Sequence, residues 1–210
     1  MKIALINGSP KISHSASEVL LEDLKGCLLR DAEVMMIGLH RAVVSEEVLA
    51  EVEGMDAWVF AFPLYVDGIP AHLLSCLIQL EERQFVNCNR LVYGIVNCGF
   101  YEGIQAEYAL QILQNWCGKA GCIWGGGIGV GCGGSLTVMP RMEFGQGPKV
   151  QIDGALEAMA RNIFRGKKQS NEYVTVAFPR FLYKLAAQTG WRKMIKDNGG
   201  KSRELGRKGE

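Results

Sequence analysis

Serine hydroxyls and one lysine cluster between Lys2 and Ser17, where the residue types and their spacing favour the binding of an anion. The apolar run 3–6 is short enough for a buried parallel strand, and it ends in Asn7-Gly8-Ser9-Pro10-Lys11, a sequence that breaks helices and strands alike. A helical pattern follows and extends to about Arg30. Backbone N–H groups, hydroxyl donors and the positive end of a helix dipole converge at such a junction. The stretch therefore predicts a phosphate site formed by Ser9, Lys11, Ser15 and Ser17.

The same serines also have an explanation that needs no ligand. The sequence Ser15-Ala16-Ser17-Glu18 fits the S-x-x-E capping box, in which Ser15 caps the helix and Glu18 reaches back to the backbone. The two interpretations are compatible, because a capping residue can share its loop with an anion.

The composition indicates one ordinary globular domain. A chain of 210 residues suffices for one well-buried domain and is short for two, and 48% hydrophobic with 21% charged residues is typical of such domains. The formal net charge of +1 argues against a nucleic-acid partner and against a strongly acidic electron carrier. The sequence shows no signal peptide and no apolar run of transmembrane length, so we expect a cytoplasmic protein without a membrane partner.

The cysteines and histidines do not have the spacing of a metal site. The chain has seven cysteines, scattered and without a C-x-x-C pair, and its three histidines are isolated. We therefore expect no zinc site, no iron–sulfur cluster and no other metal. Free thiols are typical of a reducing cytoplasm.

Strand and helix patterns alternate five times along the chain. Strands are predicted at 3–6, 32–39, 56–62, 91–98 and 121–130, and helices at 15–30, 45–54, 70–83, 103–119 and 150–166. On the fourth helix, Ile104, Tyr108, Ile112 and Trp116 lie four apart on one face. This alternation predicts an α/β fold with a doubly wound, five-stranded parallel sheet in the order 2-1-3-4-5.

Three irregular loops follow the first, third and fourth predicted strands, at 8–17, 63–68 and 98–102. In a doubly wound sheet, ligands bind beyond the carboxyl ends of these strands, at the switch point of the strand order. We therefore expect these three loops to form one crevice.

The chain changes character after residue 168. We expect a main domain at 1–168, a C-terminal helical extension at 169–198 and a disordered basic tail at 199–210. An amphipathic helix is predicted at 178–198, which either packs on its own domain or contacts a partner subunit and completes a pocket there.

These motifs, in this order, resemble the flavodoxin-like NAD(P)H-dependent FMN reductases over nearly the whole chain. The matching segments are Asn7–Lys11 with Ser15–Leu20, Pro63–Pro70, Phe178–Tyr183, Gly190–Arg192 and Asn198–Gly199. The chain is most similar to a branch related to iron–sulfur flavoproteins, but it lacks the cluster cysteines and has only Cys76 near the second loop. It departs from many members in having Lys11 in place of arginine and Ala16 in place of a hydroxyl residue.

The resemblance implies that FMN binds across the three loops. Its phosphate would contact the residues of the first loop, namely Ser9, Lys11, Ser15 and Ser17. Its ribityl chain and ring edge would contact Pro63, Leu64, Tyr65, Val66, Asp67 and Gly68, although the alternative is an ordinary βα loop with a surface tyrosine. The pyrimidine end of the ring would meet Asn97, Cys98, Gly99, Phe100 and Glu102. We interpret Cys98 as a small buried residue rather than a catalytic thiol, because no histidine pairs with it.

A literal G-x-G-x-x-G occurs at Gly129, Gly131 and Gly134, within a glycine-rich run. It follows the last predicted strand rather than the first, and residues 135–142 do not have the pattern of the required helix, so we do not interpret it as a dinucleotide fingerprint. We expect this run to be a flexible wall of the site or a tight turn.

The function that the resemblance implies is transfer of hydride from NADPH or NADH to bound FMN, and of electrons onward to a small acceptor. No catalytic side chain is expected, because the flavin carries the chemistry. A homodimer is expected. The alternatives are a flavodoxin-type electron carrier and a flavin-free interaction protein on the same fold.

Overall fold

Within the residues that the structure describes, six parallel strands form one sheet, in the order 2-1-3-4-5-6 when numbered along the chain. The structure, a computed structural model, describes residues 1–28, 32–83, 89–137 and 143–201. The strands are β1 Lys2–Asn7, β2 Glu33–Gly38, β3 Ala57–Pro63, β4 Leu91–Asn97, β5 Ile123–Val130 and β6 Glu172–Val174.

Helices cover both faces of the sheet. The helices of this part of the chain are α1 Ala16–Leu28, α2 Glu46–Glu53, α3 Ala71–Glu82, α4 Glu107–Lys119, the short α5 Gly133–Leu136 and α6 Val150–Phe164. A further helix, α7 Arg180–Asp197, follows later in the chain. Helices α1 and α6 pack against each other, whereas α2, α3 and α4 contribute to one hydrophobic cluster with the strands. Two 3-10 turns, Gly103–Ala106 and Gly147–Lys149, precede α4 and α6.

The predicted α/β class and the order 2-1-3-4-5 of the first five strands are confirmed. The prediction of five strands was incomplete, because Glu172–Val174 adds a sixth strand parallel to β5. This strand has three residues, and only one of them, Val174, is buried. So short a segment has no measurable period, and the apolar pattern from which we predicted the other strands is absent.

The core centres on β3, whose residues Ala57–Phe62 are all buried. Burial on both faces is the expected consequence of helices on both sides, and it explains why β3 is a continuous apolar run without alternation. Trp58 donates its indole N–H to the Val52 carbonyl oxygen at 2.9 Å and stacks near Trp116, with 6.5 Å between ring centroids. The one polar group of this large side chain is therefore satisfied inside the core.

The apolar stripe on α4 faces outward over most of its length. Ile104, Tyr108 and Ile112 are exposed, and only Trp116 of the four is buried. The buried side chains of α4 lie one step around the helix and are Ala109, Leu110, Leu113, Trp116 and Cys117. The helix was correctly predicted, but the four-residue spacing marks its outer face.

Contacts divide the chain into two compact units, Met1–Val176 and Ala177–Glu210. In the second unit, α7 confirms the predicted helix, and none of its residues is buried. The predicted end of the first helix at Arg30 lies outside the described residues, because 29–31 are not described. Most of the predicted tail at 199–210 also lies outside them, because the description ends at residue 201. Within the described ranges, the helices are too short or too polar to cross a membrane.

Candidate functional site

The carboxyl ends of the strands bring the three irregular loops to one edge of the sheet. In the register, Asn7 at the end of β1 pairs with both Gly38 and Ala61, and Pro63 at the end of β3 pairs with Asn97 at the end of β4. Backbone hydrogen bonds continue one residue beyond these ends, from Gly8 N–H to the Ala61 carbonyl oxygen and from Leu64 N–H to the Asn97 carbonyl oxygen, both at 2.8 Å. The loops after β1, β3 and β4 therefore start side by side.

Asn7 holds the loop that leads from β1 to α1. Its Oδ1 accepts a hydrogen bond from the Ser9 N–H at 3.0 Å, and its Nδ2 lies 3.5 Å from Ser15 Oγ at the other end of the loop. Asparagine commonly bonds its own backbone two residues on, and here the second contact also spans the loop. The side chain is buried, so these two hydrogen bonds lie beneath the loop.

Helix α1 begins with the predicted capping box. The Glu18 N–H donates to Ser15 Oγ at 3.0 Å, and Glu18 Oε2 accepts from the Ser15 N–H at 3.3 Å. The Glu18 N–H of the capping box and Nδ2 of Asn7 account for the oxygen lone pairs of Ser15, but neither uses the hydrogen of its hydroxyl group.

Two buried serine hydroxyls in this loop keep a hydrogen to donate. Ser9 Oγ accepts from the Lys11 N–H at 3.2 Å, and Ser15 Oγ accepts as described above. Both residues are 3% exposed, and neither hydroxyl hydrogen has an acceptor among the residues that the structure describes. Because buried polar groups are nearly always hydrogen-bonded, the two hydroxyls fit a ligand that supplies only acceptors, as a phosphate group does. The side chain of Lys11 is exposed beside them.

Ser17, the fourth predicted phosphate residue, is oriented differently. It is almost completely buried, and its hydroxyl donates to Asn97 Oδ1 at 2.8 Å. The bond links the first turn of α1 to the end of β4, so Ser17 and Asn97 join the first and third loops.

The second loop contains a two-residue hairpin. Tyr65 and Gly68 exchange two backbone hydrogen bonds of 3.0 and 3.1 Å, and between them Val66 and Asp67 both have positive φ, 48° and 57°. This is the backbone of a tight I′ hairpin turn, in which glycine and asparagine are common and valine is strained. The Val66 side chain is completely exposed, and that of Tyr65 is half exposed. The N–H groups of Tyr65 and Gly68 are used within the hairpin, which leaves those of Val66 and Asp67 for a ligand.

The third loop places one aromatic side chain in solvent and one thiol inside. Phe100 is 55% exposed, whereas Cys98 is buried with its thiol near the carbonyl oxygens of Phe100 and Glu102. Burial is the main cause that raises the pKa of the Cys98 thiol. A thiol that stays protonated is a poor nucleophile, which supports a packing role. Gly99, Tyr101 and Glu102 complete the loop at the surface.

The glycine-rich run is neither a wall nor a turn over most of its length, because Ile123–Val130 is strand β5. Its glycines let other backbone segments approach closely. A Cβ on Gly131 would lie 2.1 Å from the Tyr101 carbonyl oxygen, and one on Gly103 would lie 2.3 Å from the Gly129 carbonyl oxygen. The run therefore packs the segment after the third loop tightly against β5.

Backbone strain is concentrated at this edge of the sheet. Four non-glycine residues of the described chain have positive φ, and all four follow a strand at its carboxyl end. They are His14 after β1, Val66 and Asp67 after β3, and Cys132 after β5. Such residues cost stability and cluster at functional sites, so the strain independently marks the same edge.

Two residues that hold the candidate site were not among the predicted binding residues. Asn7 belonged to the predicted motif, and its position two residues before a serine is a signal for an Asx turn. His40 follows β2, and its Nδ1 lies 2.7 Å from the Ser9 carbonyl oxygen. No local pattern indicates that contact, because it depends on the pairing of β1 with β2.

A cavity of about 600 Å³ lies elsewhere, between α1 and α6, and is lined in part by Cys27, Phe144 and Phe164. Its acidic side chains are each paired with a base, as in Arg161–Glu157 at 3.3 Å. Burial raises the pKa of the Cys27 thiol to about 11. The cavity offers neither an unpaired charge nor a reactive thiol, and the chemistry-bearing loops lie at the sheet edge instead.

Comparisons with solved structures agree with this architecture. No protein-family model and no curated protein matches the chain. The flavodoxin, WrbA-like protein from Agrobacterium tumefaciens is 17% identical over 80% of this chain and 99% of its own, with a TM-score of 0.55. The apo form of NADH:FMN oxidoreductase (EMOB) is 17% identical over 76% of this chain and 88% of its own, with a TM-score of 0.57. The NADPH-quinone reductase from P. pentosaceus is 15% identical over 78% of this chain and 97% of its own, with a TM-score of 0.54.

The chain therefore has a flavodoxin-like α/β fold, and the resemblance inferred from the motifs is confirmed at the level of the fold.

Proposed function

We propose that this protein is an FMN-dependent oxidoreductase that takes hydride from NADPH or NADH and passes electrons to a small acceptor. The acceptor would be a quinone, a nitro or azo compound, a free flavin or a metal ion. The observation that carries the proposal is the pair of buried hydroxyls, Ser9 and Ser15, that keep hydrogens for an acceptor-only group. They lie at a helix N-terminus on the ligand-binding edge of a flavodoxin-like sheet.

In this proposal the first loop holds the phosphate of FMN. Ser9 and Ser15 donate hydroxyl hydrogens, Lys11 supplies a positive charge and α1 its N-terminal dipole. Ser17 positions the helix through its bond to Asn97. Lys11 is a point charge rather than a forked donor and Ala16 adds no hydroxyl, so we expect weaker phosphate binding than a loop with an arginine and a further hydroxyl would give.

The second and third loops would hold the ring. Tyr65 and Val66 present exposed apolar surface after β3, Phe100 does so after β4, and the N–H groups of Val66 and Asp67 are available to the polar edge of the ring. When bound there, the flavin would supply the chemistry of hydride and electron transfer. The side chains of these loops would orient the reactants and exclude water, for which no acid or base is needed. Two of the solved neighbours are named as an NADH:FMN oxidoreductase and an NADPH-quinone reductase, which favours this class of reaction.

The test is a titration of the purified protein with FMN and with riboflavin, followed by NADPH or NADH under anaerobic conditions. We expect FMN to bind more tightly than riboflavin and to be bleached by a reduced nicotinamide. The Ser9→Ala/Lys11→Gln variant should bind FMN at least tenfold more weakly, since two phosphate contacts are removed. Ser13→Ala, an exposed serine of the same loop, is the matched control. Full FMN affinity in the double variant would contradict the phosphate-loop assignment.

An electron carrier is the second candidate, because a short-chain flavodoxin also matches the structure, at 13% identity and a TM-score of 0.55. A carrier would bind FMN but would not be reduced by NADPH or NADH. A protein that binds no flavin at all would instead indicate an interaction protein in which the serines serve only the capping box.

We also propose a homodimer and a cytoplasmic location. The outer apolar face consists of Leu74 and Ile78 on α3 with Ile104, Tyr108 and Ile112 before and on α4, and all five side chains are exposed. An exposed apolar face on two adjacent helices favours burial against a second copy. The cytoplasm is supported by the cysteines, since the described ones form no disulfide with one another.

A further inference from the structure

The register of the first two strands places His40 beside the phosphate loop. Asn7 pairs with Gly38, and the Leu39 N–H donates to the Asn7 carbonyl oxygen at 2.8 Å. Parallel pairing advances both chains together, so the residue after Leu39 comes level with Ser9. His40 is half-buried there, just beyond the end of β2.

The imidazole of His40 is a donor to Ser9. Its Nδ1 lies 2.7 Å from the Ser9 carbonyl oxygen, and a carbonyl oxygen can only accept, so Nδ1 carries the hydrogen. The Ser9 N–H is bonded to Asn7 Oδ1, and Ser9 Oγ accepts from the Lys11 N–H. His40 thus binds the carbonyl oxygen of Ser9, while the Ser9 N–H and the acceptor side of its Oγ are bonded within the loop itself, and only the hydroxyl hydrogen stays available.

Gly38 makes room for this ring. A Cβ built on Gly38 would lie 2.3 Å from Nε2 and 2.8 Å from Cδ2 of His40. Any larger residue at this position would displace the imidazole, whereas the backbone pairing of Gly38 with Asn7 in the sheet needs no side chain. The missing side chain at Gly38 therefore leaves the space in which the His40 ring reaches the Ser9 carbonyl oxygen.

We propose that His40 is a positioning residue that orients Ser9 for a phosphate monoester and so determines the preference of this site for FMN over riboflavin. The inference rests on the proposed function, because it assigns the phosphate of FMN to this loop. His40 acts through the Ser9 carbonyl: without the bond, the Ser9 peptide can rotate, and its buried hydroxyl no longer points to a fixed acceptor position. Riboflavin shares the ring and the ribityl chain but lacks the phosphate, so its binding reports on everything except this loop.

The test compares two variants of nearly equal size in the full-length protein. His40→Leu removes the donor, whereas His40→Asn keeps an N–H group close to the position of Nδ1. Dissociation constants for FMN and riboflavin are measured by flavin fluorescence quenching, and thermal unfolding without ligand is recorded for each variant. We expect His40→Leu to bind FMN roughly tenfold more weakly with riboflavin affinity unchanged, and His40→Asn to recover most of the FMN affinity. Gly38→Ala should reproduce the effect of His40→Leu by displacing the ring.

The outcomes are distinguishable. If FMN affinity in His40→Leu stays within twofold of the wild type, or if FMN and riboflavin weaken together, His40 is not a phosphate-positioning residue and the inference is wrong. If His40→Leu does not fold, equal FMN affinity in Gly38→Ala and the wild type overturns it instead. If the wild-type protein binds riboflavin as tightly as FMN, the phosphate assignment fails first, and if it binds neither flavin, the proposed function fails with it.

Discussion

Ser15 combines two roles that a single substitution can separate. It caps α1, and it keeps a hydroxyl hydrogen for a ligand. Aspartate is as good a helix cap as serine, but it is an acceptor only and carries a negative charge. The capping function and the anion-binding function therefore respond differently to Ser15→Asp.

We predict that Ser15→Asp leaves the free energy of unfolding within about 0.5 kcal/mol of the wild type and abolishes measurable FMN binding. Ser15→Ala should lower the free energy of unfolding by about 1 kcal/mol and weaken FMN only moderately. Urea denaturation and FMN titration of both variants check this. Tight FMN binding by Ser15→Asp would show that no phosphate lies against this serine.

Tyr93 links stability to alkaline pH. Its phenol is buried in β4 and donates to the Lys167 carbonyl oxygen at 2.8 Å, and burial raises its pKa from 10.0 to about 12. Between these values the folded protein holds a proton that the unfolded chain has lost, so the free energy of unfolding falls as pH rises from about 10 to about 12.

Tyr93→Phe removes this titration together with the hydrogen bond. We predict that the free energy of unfolding of the variant is about 1 kcal/mol lower than that of the wild type at pH 8. The difference should shrink as pH rises above 10, because only the wild type has a phenol that loses its proton. Denaturation at pH 8, 10 and 11 measures the two curves. Parallel curves over that range would exclude the assignment.

At the scale of the elements, the glycine-rich run that includes β5 shows how glycines act as packing residues. Gly131 and Gly134 belong to the same run and differ in their surroundings: a Cβ on Gly131 would meet backbone at 2.1 Å, and one on Gly134 would meet nothing within 4 Å. We predict that Gly131→Ala lowers the free energy of unfolding by about 1–3 kcal/mol, whereas Gly134→Ala changes it by at most about 0.5 kcal/mol. Chemical denaturation of the two single variants provides the measurement, and equal stabilities would refute the packing role.

The elements that could be predicted are those whose burial follows from local sequence. Strand β3 is apolar throughout because both of its faces are covered, and α2 lies within the predicted helix at 45–54, capped by Ser45, whose Oγ accepts from the Val48 N–H. Strand β6 could not be predicted, because three residues owe their conformation to pairing with β5. The outward stripe of α4 shows the same limit, since apolar spacing gives the helical period without saying which face meets the sheet.

At the scale of the whole molecule, the sequence predicted that the three loops meet at one edge of the sheet, but it did not predict the contacts that hold these loops together. The three loops follow from strand order and from breaker residues such as Gly8 and Pro63, which are local signals. Three contacts hold these loops: Asn7 with Ser15, Ser17 with Asn97, and His40 with Ser9. Each joins residues whose distance in space is set by the register of the strands. Single-sequence patterns do not contain that register, so these contacts needed the structure.

The proposed dimer is also tested at this scale. We predict a mass of about twice 23.1 kDa by light scattering, because the outer apolar face on α3 and α4 is exposed in the single chain. Tyr108→Glu should shift the protein to a monomer by placing a charge in that face, whereas Val150→Glu, an exposed apolar residue at the start of α6, should not. A monomeric wild-type protein would contradict the proposed homodimer.

The last residues of the first unit form hydrogen bonds with segments that lie much earlier in the chain. Val174 accepts a hydrogen bond from the Gly131 N–H at 2.8 Å, and the Thr175 hydroxyl donates to the Tyr101 carbonyl oxygen at 2.6 Å. A nascent chain leaves the ribosome from its N-terminus, so β1 to β4 can pair while these residues are still unmade. The third loop is then secured only at the end of the synthesis of this unit. Binding competence should consequently arise late in translation, and a nascent chain stalled before β6 would have most of its sheet but an unfinished crevice.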